Sequence, residues 1–264
     1  MTTPTILVFD SGLGGLTVFR EVVRTRPDAR LVYLADDERF PYGDIPEAEL
    51  IDRVVKVFGK AIAAHKPDLI VNACNTASTL TLAACRAAYP SVPIVGTVPA
   101  IKPACAASNS RLVSVLGTRA TVSREYTRAL IREFSQGCEV KLVGSAKLAP
   151  MAEAELNGAP ASDIALSAEI TPCFVEADGM RTDTIVLACT HYPLLLERLR
   201  KLAPWPVEWI DPAPAIARRV VDLLGPARGN GGSSIFRYTS GKAPSPILAR
   251  GLTGLGFNAA NQNV

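Results

Sequence analysis

Short apolar runs alternate with longer mixed segments along this chain, and the alternation predicts strands and helices in turn. The apolar runs are rich in β-branched residues and recur before Gly, Asn or Thr, which is typical of buried strands. The predicted strands are residues 6–9, 31–34, 69–72, 94–96, 112–116, 140–143, 184–187 and 236–239. The predicted helices are residues 16–26, 47–65, 78–89, 122–134, 161–177, 194–201 and a last one from Ser245. This order of elements predicts an α/β protein with mainly parallel sheets.

One stretch of the chain occurs twice. Asp-Leu-Ile-Val-Asn-Ala-Cys at 68–74 reappears as Asp-Thr-Ile-Val-Leu-Ala-Cys at 183–189, with five of the seven positions identical. Each copy predicts a buried strand that ends in a thiol, at the carboxyl edge of a parallel sheet, where open α/β folds bind ligands. We therefore expect two similar lobes whose thiols, Cys74 and Cys189, face one cleft.

Proline-rich joints indicate where the two lobes divide. Val98-Pro99 and the segment from Pro204 to Pro214 interrupt the alternation of strands and helices. We predict a first lobe of residues 1–97 plus 210–264, and a second lobe of residues 98–209.

The composition narrows the classes of function. The 264 residues carry 28 Lys and Arg against 25 Asp and Glu, a net charge of +3, and the basic residues are scattered, so nucleic acid is not expected as a partner. The first apolar run follows no positive charge and breaks at Asp10, which argues against a signal peptide or a membrane-spanning helix and predicts a cytoplasmic protein. Two histidines, and six cysteines without a C-x-x-C pair, argue against a metal centre or a disulfide framework.

A glycine-rich segment, Asp10-Ser-Gly-Leu-Gly-Gly15, follows the first predicted strand and opens a helix. Its glycines could bring backbone amides close to an anion, or could form a tight turn that Asp10 caps. A nucleotide-binding module is a further alternative, but the spacing departs from G-x-G-x-x-G and from other phosphate loops. The position of this segment favours a role in a ligand-binding site, because Asp10 and Ser11 lie at the same predicted sheet edge as Cys74.

Two of the six cysteines differ from the others in their neighbours. Cys74 and Cys189 each end a predicted strand and are followed by Asn75-Thr76 and Thr190-His191, an environment that stabilises a thiolate and binds carboxylates. His191 is close enough along the chain to assist proton transfer at Cys189. A free cysteine is usually a small buried apolar residue, and this is the role that we assign to Cys85, Cys105, Cys138 and Cys173.

Three further segments carry candidate polar groups, each with a structural alternative. Phe40-Pro-Tyr-Gly43 could wall a small pocket or form a simple turn. Thr118 and Thr121 would mirror Ser11 in the second lobe, or cap a helix. Glu153 lies at a predicted helix start, where solvated acidic residues are common.

At these residues the chain closely resembles the glutamate racemases, within the wider aspartate/glutamate racemase group. The resemblance runs in order along nearly the whole chain, through Phe9-Asp-Ser-Gly-Leu-Gly-Gly-Leu-Thr17, Tyr33-Leu-Ala-Asp36, Pro41-Tyr-Gly43, Ala73-Cys-Asn-Thr-Ala-Ser78, Gly117-Thr118, Leu187-Ala-Cys-Thr-His-Tyr-Pro193 and Tyr238-Thr-Ser-Gly241. It implies two lobes related by a pseudo-twofold axis, with the active site in the cleft between them. It also implies a homodimeric enzyme that interconverts L- and D-glutamate without a cofactor and supplies D-glutamate for peptidoglycan synthesis.

The resemblance further implies a role for each matching residue. Cys74 and Cys189 would be the two acid/base groups, with Asp10 assisting the first and His191 the second. A supporting glutamate of the family matches best at Glu153. The groups that hold the carboxylates and ammonium of the substrate would be Ser11, Pro41, Tyr42, Gly43, Asn75, Thr76, Thr118, Thr121 and Thr190.

The chemistry of inversion agrees with a pair of thiols. A proton must leave one face of the α-carbon and another must arrive at the opposite face, so one group acts as thiolate while the other acts as thiol. By the resemblance, Cys74 takes the proton from D-glutamate and Cys189 takes it from L-glutamate. A racemase for aspartate or another amino acid of the same group remains the alternative, because it would share the thiols and differ in the pocket.

Overall fold

Two parallel sheets form the centre of the structure, a computed structural model that describes residues 3–257. The strands are β1 (Thr5–Asp10), β2 (Arg30–Ala35), β3 (Leu69–Asn72), β4 (Ile94–Val95), β5 (Leu112–Thr118), β6 (Glu139–Ser145), β7 (Glu176–Ala177), β8 (Met180–Arg181), β9 (Thr184–Ala188), β10 (Glu208–Ile210) and β11 (Ser233–Tyr238). The first sheet has the order β11-β2-β1-β3-β4 and the second has the order β10-β9-β5-β6. The short strands β7 and β8 form a separate antiparallel hairpin.

Helices cover both faces of each sheet. They are α1 (Leu16–Thr25), α2 (Glu47–His65), α3 (Asn75–Ala88), α4 (Ile101–Ala107), α5 (Arg119–Ser123), α6 (Glu125–Phe134), α7 (Leu148–Leu156), α8 (Asp163–Ile170), α9 (Leu196–Leu202), α10 (Ala213–Leu224) and α11 (Pro246–Gly254). On the first sheet, α1, α10 and α11 pack on one face, and α2 and α3 pack on the other. On the second sheet, α7, α8 and α9 oppose α4 and α6. The α/β class with mainly parallel sheets is therefore confirmed.

The two sheets repeat one arrangement of strands. Read from one side, β2-β1-β3-β4 of the first sheet corresponds to β6-β5-β9-β10 of the second. The two copies of the repeated sequence lie on equivalent strands, β3 and β9. Phe9 pairs with Asn72 and Leu116 pairs with Leu187 at the same position of each copy. By this register, Ser11 corresponds to Thr118 and Asp10 corresponds to Gly117.

Two predicted helices differ in the structure. The predicted helix 161–177 ends at Ile170 and continues as a 3₁₀ turn, Thr171–Cys173, because Pro172 lacks the N–H that a longer helix needs. The predicted helix 122–134 is two helices, since Arg124 has an extended backbone between α5 and α6. The guanidinium of Arg124 donates to the carbonyl oxygen of Thr76, and this tertiary contact holds it away from the helical path.

Several elements had no sequence prediction of their own. The sequence did not predict α4 and α10, because each of these helices contains a proline. In both helices the proline lies in the first turn, where a missing N–H costs nothing. The strand β10 lies in the segment interpreted as a proline-rich joint. None of the described helices is long and apolar enough to cross a membrane.

The chain passes from one sheet to the other twice. It leaves the first sheet after β4 and returns to it with β11, while β10 still belongs to the second sheet. The exact lobe boundaries, 97/98 and 209/210, stay a prediction. The outermost parts of the predicted first lobe, residues 1–2 and 258–264, lie outside the described residues.

Candidate active site

The carboxyl ends of five strands, β1, β3, β5, β6 and β9, meet at one narrow cavity between the sheets. Cys74 follows β3 and Cys189 follows β9, and both thiols line this cavity with exposures of 5% and 6%. The cavity has a volume of ≈ 30 Å³. The other predicted site residues that line it are Ser11, Pro41, Tyr42, Gly43, Asn75, Thr76, Thr118, Thr190 and His191.

The remaining three predicted site residues lie directly behind this lining. Asp10 accepts a hydrogen bond from Thr190, Thr121 shares one with Thr76, and Glu153 contacts His191. The structure thus brings all of the predicted site residues together around the cavity. The roles assigned to them are taken up as proposals below.

The thiol of Cys74 lies in an apolar and acidic environment. Its Sγ is 3.5 Å from the hydroxyl oxygen of Ser11, to which it donates. Burial and, to a smaller extent, the nearby carboxylate of Asp10 raise the pKa of Cys74 to about 12, against the opposing effect of its hydrogen bonds with Ser11 and Ala77. At neutral pH Cys74 is therefore a protonated thiol.

The thiol of Cys189 has a cationic neighbour instead. Its Sγ lies 3.8 Å from Nδ1 of His191, whose Nε2 lies 2.8 Å from Oε1 of Glu153. Burial alone would lower the pKa of His191, but its hydrogen bonds with Cys189 and Glu153 raise that pKa well above the ordinary value. His191 thus places a positive charge next to the thiol of Cys189.

Asp10 links the two lobes rather than bonding to Cys74. Its Oδ2 accepts hydrogen bonds from the amides of Gly12 and Gly15, at 3.3 and 3.0 Å, and its Oδ1 accepts one from the hydroxyl of Thr190 at 3.2 Å. Burial raises its pKa, while the charge of His191 and the two amides oppose that shift. Its influence on Cys74 is electrostatic, through the nearby charge.

The glycines of the segment 12–15 allow the second lobe to approach. A Cβ atom on Gly14 would lie 2.4 Å from Nδ1 of His191 and 2.6 Å from Oγ1 of Thr190, and a Cβ atom on Gly12 would collide with Glu153. The amide nitrogen of Gly14 lies 3.2 Å from Nε2 of His191. These contacts explain the glycines by close packing at the site, without a bound phosphate.

Hydroxyl groups of the two lobes meet on the other side of the cavity. Thr76 lies 3.0 Å from Thr118 and 3.3 Å from Thr121, measured between hydroxyl oxygens. Arg124, which sequence reasoning missed, fixes this junction: it is 8% exposed and donates to the carbonyl oxygen of Thr76 and the hydroxyl of Thr79. No short motif surrounds Arg124, so the sequence offers no signal for it.

A buried ion pair holds the loop of Tyr42. The hydroxyl of Tyr42 donates to Oδ2 of Asp36 at 2.5 Å, and Arg53 donates to both carboxylate oxygens of the same residue. Thr239, from the returning C-terminal segment, also donates to Asp36. Asp36 therefore positions the wall formed by residues 41–43, although its own side chain is buried away from the cavity.

The side-chain amide of Asn75 lines the cavity and is one of the buried polar groups that have no partner among the described residues. Both its Nδ2 and Oδ1 atoms are buried without a hydrogen-bond partner among the described residues. Buried amides are nearly always paired, so this one, on the cavity wall, is free for the carboxylate or ammonium of a ligand.

The other four cysteines lie elsewhere in the structure. All are buried and free thiols, and Cys138 donates a hydrogen bond to the carbonyl oxygen of Cys105. Among residues 3–257, the acidic, histidine and cysteine side chains form no group of three or more that could hold a metal ion.

Two thiols on equivalent strand ends therefore line one buried cavity between two α/β lobes. The model of the Asp/Glu/Hydantoin racemase family matches residues 11–220. This chain therefore belongs to the Asp/Glu/Hydantoin racemase family, and it is an amino-acid racemase, an isomerase.

Several proteins that are similar to this chain are glutamate racemases. The glutamate racemases of Brucella anthropi and Brucella canis are each 58% identical to this chain over 225 residues, which are 85% of this chain and 81% of theirs. The structure of Escherichia coli glutamate racemase, in complex with L-glutamate and the activator UDP-MurNAc-ala, matches with a TM-score of 0.85 at 38% identity, covering 97% of this chain and 96% of that one. Glutamate racemase isoform RacE1 from Bacillus anthracis matches with a TM-score of 0.80 at 27% identity, covering 97% of this chain and 96% of that one. The resemblance to glutamate racemases is confirmed.

Proposed function

We propose that this chain interconverts L- and D-glutamate by proton transfer at Cys74 and Cys189, without a cofactor. The observation that carries the proposal is the pair of buried thiols, one at the end of β3 and one after β9, that line the same cavity. The names of the relatives supply the substrate, since those at 58% identity are glutamate racemases.

The unequal environments of the thiols favour different resting roles. Cys189, with its Sγ 3.8 Å from the positively charged His191, is the base, while burial and Asp10 keep Cys74 protonated. In this form the enzyme is ready for L-glutamate: Cys189 removes the α-proton and Cys74 delivers its own proton to the opposite face. For D-glutamate the same steps run in reverse, from the form in which Cys74 is the thiolate.

The walls of the cavity supply the groups that bind the amino acid. The amide of Asn75 and the hydroxyls of Ser11, Thr76, Thr118 and Thr190 are neutral donors and acceptors, suited to carboxylates and an ammonium group. They stabilise developing charge without forming an ion pair that would quench a thiolate. Because the cavity is narrow and its two thiols are nearly buried, we infer that the lobes separate to admit glutamate and close again to exclude water.

The test is incubation of the purified protein with L-glutamate and, separately, with L-aspartate, followed by chiral chromatography. Glutamate should approach a racemic mixture, and aspartate should turn over far more slowly. Cys74→Ser and Cys189→Ser should each abolish racemisation in both directions, because a serine hydroxyl is a far poorer base near neutral pH. Near-normal racemisation by either variant would rule out the two-thiol mechanism.

The independence from cofactors needs its own control. Activity should survive dialysis against a chelator and should not rise on addition of pyridoxal phosphate, because the thiols carry the acid/base work. Loss of activity with a chelator, restored by added metal, would contradict this.

Three wider roles follow from the resemblance alone. We propose that the product D-glutamate serves peptidoglycan synthesis, and hence cell-wall formation and cell shape, that the protein is cytoplasmic and that it forms a homodimer. Rescue of a strain that requires D-glutamate tests the first, cell fractionation tests the second, and sedimentation of the purified protein tests the third.

A further inference from the structure

Two side chains of opposite charge lie at the rim of the substrate cavity, one on each lobe. Arg119 is the first residue of α5 and follows Thr118, and Asp44 is the last residue of the 3₁₀ turn Tyr42–Asp44. Both line the cavity and both are exposed to solvent. Within residues 3–257, no ion pair joins either side chain to another residue. Their charges are therefore available to a ligand that approaches from solvent.

The side chain of Arg119 starts at the entrance of the cavity. A Cβ atom on Gly144 would lie 3.1 Å from Cα and 3.4 Å from Cγ of Arg119, so the stem of this arginine packs against β6. Ser145 and Ala146, which follow Gly144 along the chain, also line the cavity. From this position a flexible stem brings the guanidinium within reach of the entrance.

The positive charges inside the site already have carboxylates beside them. Nε2 of His191 lies 2.8 Å from Glu153, and the charge of His191 also acts on Asp10. The guanidinium of Arg124, behind the threonine junction, lies 3.5 Å from the carboxylate of Glu47. The amide and hydroxyl groups that wall the cavity carry no net charge. An anion therefore has to be attracted from outside these pairs.

The net charge of the substrate makes the rim important. Glutamate has two carboxylates and one ammonium group, a net charge of about −1 at neutral pH. Among the described residues, Arg119 is the one Lys or Arg that lines the cavity. A charge at the mouth of a cleft attracts an ion of opposite sign before contact, and salt screens this attraction. Asp44, at the same rim, acts on the same ion with the opposite sign.

We propose that Arg119 recruits the acidic amino acid by attracting its net negative charge to the cavity, and that Asp44 weakens this attraction from the opposite lobe. The proposal rests on the proposed function, because it requires an anionic substrate. Arg119 acts on substrate entry and takes no part in proton transfer. The two enantiomers of glutamate carry the same charge, so both are recruited alike and the equilibrium between them is unchanged.

Substitutions of opposite sign at the rim test the proposal. At about 20 mM ionic strength, Arg119→Gln should lower kcat/KM for glutamate about fivefold in both directions, mainly through KM, whereas Asp44→Asn should raise it about twofold. Arg119→Lys should retain most of the wild-type value, because it keeps the charge. Arg128→Gln is the matched control: it removes the same charge from an exposed position on α6 outside the cavity lining, and its effect should be far smaller.

Salt separates attraction at a distance from a structural effect. In about 0.5 M potassium chloride, charges more than about 4 Å apart are largely screened. The kcat/KM of the wild type should therefore fall as salt is added, and the differences between it and Arg119→Gln or Asp44→Asn should shrink to less than about twofold. The double variant should lie between the two single variants at low salt.

The outcomes distinguish this proposal from the proposed function. Wild-type protein that fails to racemise glutamate would contradict the proposed function before any variant is compared. With racemisation established, an Arg119→Gln protein that equals the wild type at low salt, or that shows the same loss at high salt, would overturn recruitment by charge. Circular dichroism checks that each variant folds. If Arg119→Gln does not fold, Asp44→Asn decides: a rise that salt abolishes supports the proposal, and an unchanged or lower kcat/KM overturns it.

Discussion

The hydroxyl of Thr190, beside Cys189, donates a hydrogen bond across 3.2 Å to the carboxylate of Asp10 on the other lobe. Asp10 was expected to assist Cys74, and its charge does raise the pKa of that thiol. Through Thr190, however, the same carboxylate also fixes the loop that carries Cys189. Separation of the lobes would break this bond, so the electrostatic environment of both thiols is complete only when the cavity is closed.

The two thiols should react with alkylating reagents at different pH. At pH 7 iodoacetamide should modify Cys189 first, because its Sγ lies 3.8 Å from the positively charged His191, a neighbour that Cys74 lacks. Modification of Cys74, with a pKa of about 12, should rise about tenfold per pH unit between pH 7 and 10. Peptide mapping after short exposures measures both rates. Bound glutamate should protect both thiols, and equal rates at pH 7 would contradict the assigned resting form.

His191→Asn should lower kcat/KM by about a hundredfold or more, and by the same factor in both directions, because the equilibrium constant between enantiomers is one. The individual values of kcat and KM should change by different factors in the two directions. The imidazolium stabilises the complex with L-glutamate, in which Cys189 is the thiolate, so its loss should change KM for L-glutamate more than KM for D-glutamate. Equal changes in both KM values would argue against a partnership between His191 and Cys189.

Gly14→Ala should reduce activity strongly while the protein still folds. The added methyl group would lie 2.4 Å from His191 and 2.6 Å from Thr190, so it would push the support of Cys189 away from the first lobe. A displacement of this size costs about a hundredfold in rate. Gly251→Ala is the matched control, because a Cβ there meets nothing within 4 Å on the helix α11 and should stabilise it slightly. Full activity of Gly14→Ala would show that this close packing is dispensable.

Arg53→Met should destabilise the protein by about 2 kcal/mol at pH 7, since it leaves the carboxylate of Asp36 buried without its cation. Burial would raise the pKa of Asp36, but hydrogen bonds from Arg53, Tyr42 and Thr239 hold it below its usual 3.8. A lowered pKa contributes stability above pH 3.8 that is lost as the pH falls through the folded value. Urea unfolding of both proteins at pH 7 and pH 3 should therefore show the difference shrinking at the lower pH. A difference that is constant with pH would indicate a packing effect alone.

Features that depend on local sequence could be predicted without the structure. The repeated strand predicted two equivalent sheets, and the helix predicted at 47–65 matches α2 at both ends, because its apolar positions recur regularly and Pro46 precedes its first turn. The thiols could be placed at strand ends since each follows directly from its own copy of the repeat.

Contacts between residues far apart along the chain were beyond the reach of sequence patterns. The bond between Glu153 and His191 joins residues 38 positions apart, and the bond from Arg124 to Thr76 joins residues 48 apart. The first pair meets when α7 packs on the second sheet, and the second pair meets only when the two sheets pack together; neither hydrophobic period nor turn chemistry encodes these arrangements. Glu153 could be named from the family resemblance, whereas Arg124 has no matching motif.

The relation between the two sheets has a geometric consequence for the handedness of the substrate. A twofold rotation exchanges the upper and lower faces of a flat carbanion, so equivalent strands can present the same thiol to each face. The same rotation would also interchange two of the three unlike groups attached to the α-carbon, so the surroundings of the thiols have to differ. They do: the counterpart of Asp10 is Gly117, and the counterpart of His191 is Thr76. The residues that match between the lobes are therefore indifferent to chirality, and those that have diverged must orient the amino acid.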